Sequence, residues 1–232
     1  MSGRSRKTML NKQENRKRID QRIAGLDLEG KTVVAFDFDE LVVPVHVSRE
    51  VTDRLAKLIN KEKLEALGEN SFEGIEYLQS LAVGYEWSRY ESLRDGLVRY
   101  TPWRKGFDEL IQEVRKRFSM VFISSGMKDV CASKLSEIDF EKSNILGSEF
   151  QVEEGRIAGS GLIVTDRMKG YIVNRLRQNY AVVSVGHSLG DKYMLDNSDV
   201  SISFNPDVPG LTQYNAQTPE EILEIILGYK GS

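Results

Sequence analysis

Apolar residues along the chain fall into two patterns, and each predicts a different element. Val33-Val34-Ala35-Phe36, Met120-Val121-Phe122-Ile123, Ala181-Val182-Val183-Ser184-Val185 and Val200-Ser201-Ile202-Ser203-Phe204 are short runs rich in β-branched residues and bounded by polar ones. Such runs predict strands buried on both faces, as in a parallel sheet. Between them apolar residues recur at helical spacing. Phe107, Leu110, Ile111, Val114 and Phe118 predict a helix opened near Thr101-Pro102, and Val130, Leu135 and Ile138 a weaker one. Ile172, Val173, Leu176 and Tyr180 predict a third over Met168 to Tyr180, and Pro219 to Tyr229 a terminal helix capped by Thr218. Strands alternating with helices predict an α/β fold, a doubly wound and mostly parallel sheet. In such a sheet a ligand site lies beyond the C-terminal strand ends, where polar triplets follow three of the runs.

Two segments break the alternation. Residues 46–100 hold no strand-like run, and Leu55, Leu58, Ile59, then Ile75, Leu78, Leu81, then Tyr90, Leu93, Leu97 fall at helical spacing. They predict a small helical cap inserted after the first strand, within a core domain of residues 31–45 and 101–232. Glu149 to Val164 predicts a hairpin turning at Glu154-Gly155, with bends at Gly159 and Gly161.

With 232 residues, 40% of them hydrophobic, the chain supports one full core and a small accessory unit. The net charge of −3 excludes a polycationic nucleic-acid binder, so anion recognition is local. The charge is uneven. Residues 1–24 hold eight basic and two acidic residues, the remainder 24 basic and 33 acidic. This basic extension, placed over residues 1–30, reads as a solvated, partly helical arm whose Ile19, Ile23, Leu26 and Leu28 pack on the body; contact with RNA or an acidic partner is the alternative. Cys131 is the single cysteine, which excludes an intrachain disulfide or a cysteine-rich zinc site. No apolar run has bilayer-spanning length and the first residues are polar and basic, so a cytoplasmic protein without membrane contact is expected.

Asp37 and Asp39 stand two apart at the end of the first run, with Glu40 beside them. Crowded carboxylates need a compensating charge, which a divalent cation or neighbouring Lys and Arg residues can supply. Ser124 ends the second run, followed by Ser125 and by Gly126, which frees backbone N–H groups to face an anion. Lys169 opens a helix after the hairpin and Asp191 starts another. Singly, these read equally as a turn residue, a surface charge and an N-cap; together they place a nucleophile, an anion-binding hydroxyl, a cation and a metal ligand at one sheet edge.

In this order the residues resemble haloacid dehalogenase superfamily phosphatases, and within them the phosphoserine-phosphatase-like branch. Asp37-Phe38-Asp39-Glu40 resembles the first motif, D-x-D-x-[T/V], with Leu41 where Thr or Val is usual. Val121-Phe122-Ile123-Ser124 with Ser125-Gly126-Met127 resembles the second, the hairpin with Lys169-Gly170 the third, and Gly186-His187-Ser188-Leu189-Gly190-Asp191 the fourth, G-D-x-x-x-D. The similarity spans about residues 31–228. It implies a Rossmann-like core with a cap and a metal-dependent phosphatase acting on a small phosphorylated metabolite. Asp37 is implied as nucleophile and Asp39 as acid and base. Ser124, Ser125, Gly126 and Lys169 are implied to bind phosphate, with Asp37, Asp39 through its backbone carbonyl, Asp191 and the His187 position around Mg²⁺.

His187 stands where the family supplies an acidic ligand. Imidazole suits Mn²⁺ and softer ions better than Mg²⁺. Three readings follow: Asp191 alone holds Mg²⁺, His187 shifts the metal preference, or activity is weakened. The last leaves a degenerate protein that binds phosphorylated ligand or RNA; a phosphotransferase or mutase is a further alternative. Val42-Val43-Pro44-Val45-His46-Val47 lacks the acidic residue that phosphoserine-specific members use, so phosphoserine is not the expected substrate. Trp87, Arg49, Arg89 and Arg94 are candidate substrate contacts or ordinary cap residues. Oligomeric state has no signal in the sequence.

Overall fold

A computed structural model describes residues 10–55, 59–205 and 212–229. Arg4, Arg6 and Lys7 of the basic extension, Leu58 and Pro206 therefore lie outside the described residues. Seven strands are found among them: β1 (Thr32–Phe36), β2 (Ser119–Met127), β3 (Ile145–Glu153), β4 (Arg156–Leu162), β5 (Ala181–Gly186), β6 (Val200–Phe204) and β7 (Tyr214–Ala216). They form one sheet in the order β4-β3-β2-β1-β5-β6-β7, parallel throughout except for the β3–β4 hairpin. The four apolar runs are its central strands, buried as continuous patterns because helices cover both faces.

Alternate residues feed two cores. Val34, Phe36, Phe122, Val183 and Ile202 pack on one face, where α6 (Phe107–Arg115), α7 (Lys128–Leu135) and α10 (Pro219–Gly228) lie. Val33, Ala35, Val121, Ile123 and Val182 pack on the other, against α1 (Lys12–Ala24), α8 (Asp166–Leu176) and α9 (Lys192–Asp196). The sheet is thus doubly wound. Between β1 and α6 the described residues form four helices, α2 (Val47–Leu55), α3 (Lys61–Leu67), α4 (Phe72–Leu81) and α5 (Trp87–Tyr100), and one isolated bridge from Glu86 to Arg156. This insert rests on the hairpin through backbone bonds from Gly84 to Ile157 (2.8 Å), Ile157 to Tyr85 (2.9 Å) and Trp87 to Gly155 (2.8 Å). It is pinned to α7 where the Tyr90 hydroxyl donates to Asp129 at 2.8 Å and Arg94 pairs with the same carboxylate at 3.0 Å.

Several boundaries differ from the sequence pattern. β2 continues through Ser124-Ser125-Gly126, with a shift of register against β3 beyond Ile123. β3 begins at Ile145, joins β2 in parallel, and only then enters the hairpin; Glu154 and Gly155, both at positive φ (49° and 71°), form its turn. The third helix begins at Asp166, because the Thr165 side chain caps Met168 N–H at 3.2 Å, so Lys169 stands in its first turn and does not open it. Asp191 likewise ends a 3-10 turn, Leu189–Asp191, ahead of α9. α6 starts after Gly106, not at Thr101-Pro102. Gly106 has φ of 81°, a left-handed conformation that favours glycine, and a Cβ there would also lie 3.2 Å from Pro219 of α10.

The arm is structural where it is described. Asn15 is fully buried and its amide bonds both ways to Ile163, Nδ2 to the carbonyl and Oδ1 from the N–H, each at 2.8 Å. A side chain thereby takes the place of a neighbouring strand beyond β4. Ile19 is buried in the second core, with Ile23, Leu26 and Leu28 against it. Lys12 pairs with Glu73 of α4, Arg22 with Glu149, and Arg18 Nη1 donates to the Gly161 carbonyl.

Candidate active site

Parallel pairing brings Phe36, Phe122 and Val185 side by side at the C-terminal end of the sheet. Asp37, Ser124 and His187 follow within one or two residues of these positions. Asp37 N–H continues the ladder to the Val185 carbonyl at 3.0 Å, and Phe38 is buried edge-on against Phe122, which anchors the loop between the two aspartates. Glu40 then adopts φ of 61°, a conformation costly for a residue with a Cβ. Arg104 holds that loop, donating to the carbonyls of Glu40 (2.6 Å) and Leu41 (2.9 Å).

Four predicted residues meet in one buried cluster. Lys169 Nζ lies 2.6 Å from Asp37 Oδ1 and 2.7 Å from Asp191 Oδ1, and all three residues are within 4% of full burial. Burial opposes the ammonium charge, but Asp191 and Asp37 outweigh it and raise the Lys169 pKa. Asp191 is held below the usual carboxylate range by Lys169 and His187 in spite of its burial. Its Oδ2 also accepts the backbone N–H groups of His187 (2.9 Å) and Ser188 (3.3 Å), which fixes its orientation.

The second oxygen of each carboxylate faces His187, whose Nδ1 lies 3.4 Å from Asp37 Oδ2 and 3.3 Å from Asp191 Oδ2. Neither contact has hydrogen-bond geometry, and this buried nitrogen is left without a partner. Burial disfavours a charged imidazole, yet the two carboxylates push the His187 pKa up to about 10. With the imidazole proton displaced, ligand atoms from Asp37, His187 and Asp191, all within 4.8 Å of one another, could hold a divalent cation. Two oxygens and one imidazole suit Mn²⁺ and the later transition ions better than Mg²⁺.

The Asp39 side chain lies apart from that set. Its Oδ2 is 3.5 Å from Ser124 Oγ and 3.6 Å from His46 Nδ1, and Ser48 N–H, at the start of α2, reaches Oδ1 at 3.5 Å. Burial raises its pKa, with His46 acting in the opposite sense. Gly126 is required here, since a Cβ would stand 2.3 Å from Asp39 Oδ2 and 2.4 Å from Ser48 Oγ. Ser124 Oγ accepts Gly126 N–H at 2.9 Å, and Ser125 Oγ donates to Asp166 at 3.2 Å. Ser48, His46, Arg104 and Asp166 are site neighbours that the sequence did not disclose. Only His46 and Ser48, standing at a helix start, left any signal. The other candidate contacts are engaged elsewhere: Arg94 with Asp129, Arg89 with Glu86, Arg49 with Asp53 and Glu69, and Trp87 stacked on Tyr90.

No family model matches the chain. It is 25% identical over 189 residues to a phosphoserine phosphatase of Methanocaldococcus jannaschii, covering 75% of this chain and 85% of that protein. It is 24% identical over 190 residues to a phosphoserine phosphatase of Archaeoglobus fulgidus, covering 75% of this chain and 53% of that longer relative. A solved phospho-aspartyl intermediate analogue of phosphoserine phosphatase shares the fold with a TM-score of 0.64 at 18% identity, over 85% of this chain and 99% of the other. In sequence the chain is similar to phosphoserine phosphatases and it shares their fold, in keeping with the resemblance of its motifs to the haloacid dehalogenase superfamily.

Proposed function

We propose that the protein is a metal-dependent phosphatase that hydrolyses a small phosphate monoester through a phosphorylated Asp37. The observation that carries this reading is Asp37 paired with Lys169 on one oxygen and facing the unpartnered His187 nitrogen with the other, beside a second, buried carboxyl group. Asp37 attacks phosphorus in line with the ester oxygen, the ester bond breaks, and Asp39 gives its proton to the leaving oxygen. Burial raises the Asp39 pKa, which favours the protonated form this step needs. Asp39, now ionised, takes a proton from the water that attacks the acyl phosphate, and phosphate leaves. Ser124, the N–H groups of Ser125 and Gly126, and Lys169 stabilise the equatorial oxygens.

Asp37, His187, Asp191 and the Asp39 carbonyl are the groups that would hold a divalent ion, Mn²⁺ or Mg²⁺. Bound there it supplies charge neutralisation between an anionic nucleophile and an anionic substrate. The insert, docked over the hairpin, serves as a cap that excludes water from the reacting groups. Reading the arm as an RNA-binding element has less support, because Lys12, Arg18 and Arg22 are all engaged within the fold. The test is hydrolysis of p-nitrophenyl phosphate with Mn²⁺ or Mg²⁺ added. Wild type is expected to turn it over and Asp37→Asn to lose all turnover; hydrolysis that survives Asp37→Asn contradicts the assignment.

A further inference from the structure

Gln79 is the polar residue of the insert that the reaction leaves without a task. It lies on α4, 3% exposed, and its Nε2 donates to Met127 Sδ at 3.6 Å, while Oε1 is buried with no partner. A buried carbonyl oxygen without a donor is costly, and native proteins rarely keep one that nothing ever fills. Its surroundings indicate what fills it. Met127 N–H donates to Ser48 Oγ at 3.0 Å, and Ser48 N–H reaches Asp39 at 3.5 Å. Asp39, Ser48, Met127 and Gln79 are therefore linked in one run of contacts. In the phosphatase reading, on which this inference rests, Asp39 meets the ester oxygen, and Gln79 is the next uncommitted polar group along that run.

We infer that Gln79 Oε1 accepts a hydrogen bond from a hydroxyl of the leaving group, which makes the site selective for hydroxylated phosphate monoesters of the polyol type. A neutral carbonyl pairs with a neutral hydroxyl at no cost in buried charge, whereas an ammonium placed there would need a counter-charge. A site built to hydrogen-bond a substrate hydroxyl rejects the analogue that lacks it, because its own polar group is then left unpaired.

The test compares kcat/KM for sn-glycerol 3-phosphate, ethyl phosphate and O-phosphoethanolamine at saturating Mn²⁺. Wild type is expected to favour glycerol phosphate over ethyl phosphate by about tenfold or more, and Gln79→Met to reduce that ratio about tenfold, the size of one lost hydrogen bond. Gln79→Glu, which keeps the shape and adds a negative charge, is expected to shift preference toward O-phosphoethanolamine and serves alone if the Met variant does not fold. Equal use of glycerol and ethyl phosphates by wild type, a wild-type preference for O-phosphoethanolamine, or a variant that slows all three esters in proportion overturns the inference. Asp37-dependent hydrolysis of p-nitrophenyl phosphate then still stands for the parent reading; its absence removes both.

Discussion

Lys169 neutralises two carboxylates that would otherwise repel each other out of contact with water. Removing one partner of such a buried set leaves uncompensated charge, which costs about 3–5 kcal/mol. Lys169→Met is accordingly expected to lower the metal-free protein's stability by about that amount in urea denaturation, with partial recovery on adding Mn²⁺; a wild-type midpoint contradicts the charge balance described. In the proposed reading His187 is one of the groups that would hold the ion. His187→Asp replaces the imidazole by an oxygen donor, so the thermal midpoint shift produced by Mg²⁺ is expected to grow relative to that produced by Mn²⁺. An unchanged ratio of the two shifts excludes His187 from the ligand set. At this scale Asp37, Asp39, Lys169 and Asp191 were picked out as candidates by the order of the motifs, since singly Lys169 reads as a surface charge and Asp191 as an N-cap; Asp37, Lys169 and Asp191 do meet in the fold. Arg104 and Asp166 were not picked out. Their partners lie far off along the chain, and nothing local marks an arginine that grips two carbonyls some sixty residues away.

Elements were read best where one rule governed them. β1, β2, β5 and β6 are buried on both faces and announce themselves as apolar runs, whereas β7 is three residues long, half polar, and exists through its pairing with β6. β3 serves two partners, parallel to β2 and antiparallel to β4, and only its hairpin half carries a turn signal. The arm shows how tertiary context overrides composition. Ile19 fills a core position as its apolar spacing predicts, but the arm's charge suggests solvation and nothing in it signals that Asn15 closes the strand edge at Ile163. Asn15→Ala leaves the Ile163 N–H and carbonyl unpaired and is expected to cost about 1–3 kcal/mol in urea denaturation. A change within a few tenths of a kcal/mol would mean that the arm only rests on the body.

For the molecule as a whole, parallel strands β2, β1 and β5 lie adjacent at the sheet centre, so loops distant in sequence open at one edge. That topology brings the four motifs to one sheet edge, which is why candidate residues could be placed there before any distance was known. The insert's placement over the hairpin was not legible, since it depends on backbone bonds from Gly84, Tyr85 and Trp87 to residues of the hairpin. Among the described residues no helix is long and apolar enough to cross a membrane. The phosphatase reading requires a phosphoryl group on Asp37 during turnover. Protein quenched in acid while hydrolysing p-nitrophenyl phosphate, digested and examined by mass spectrometry, is expected to carry one phosphoryl group on Asp37, absent from Asp37→Asn. Steady turnover with that group on another residue, or on none, contradicts the account.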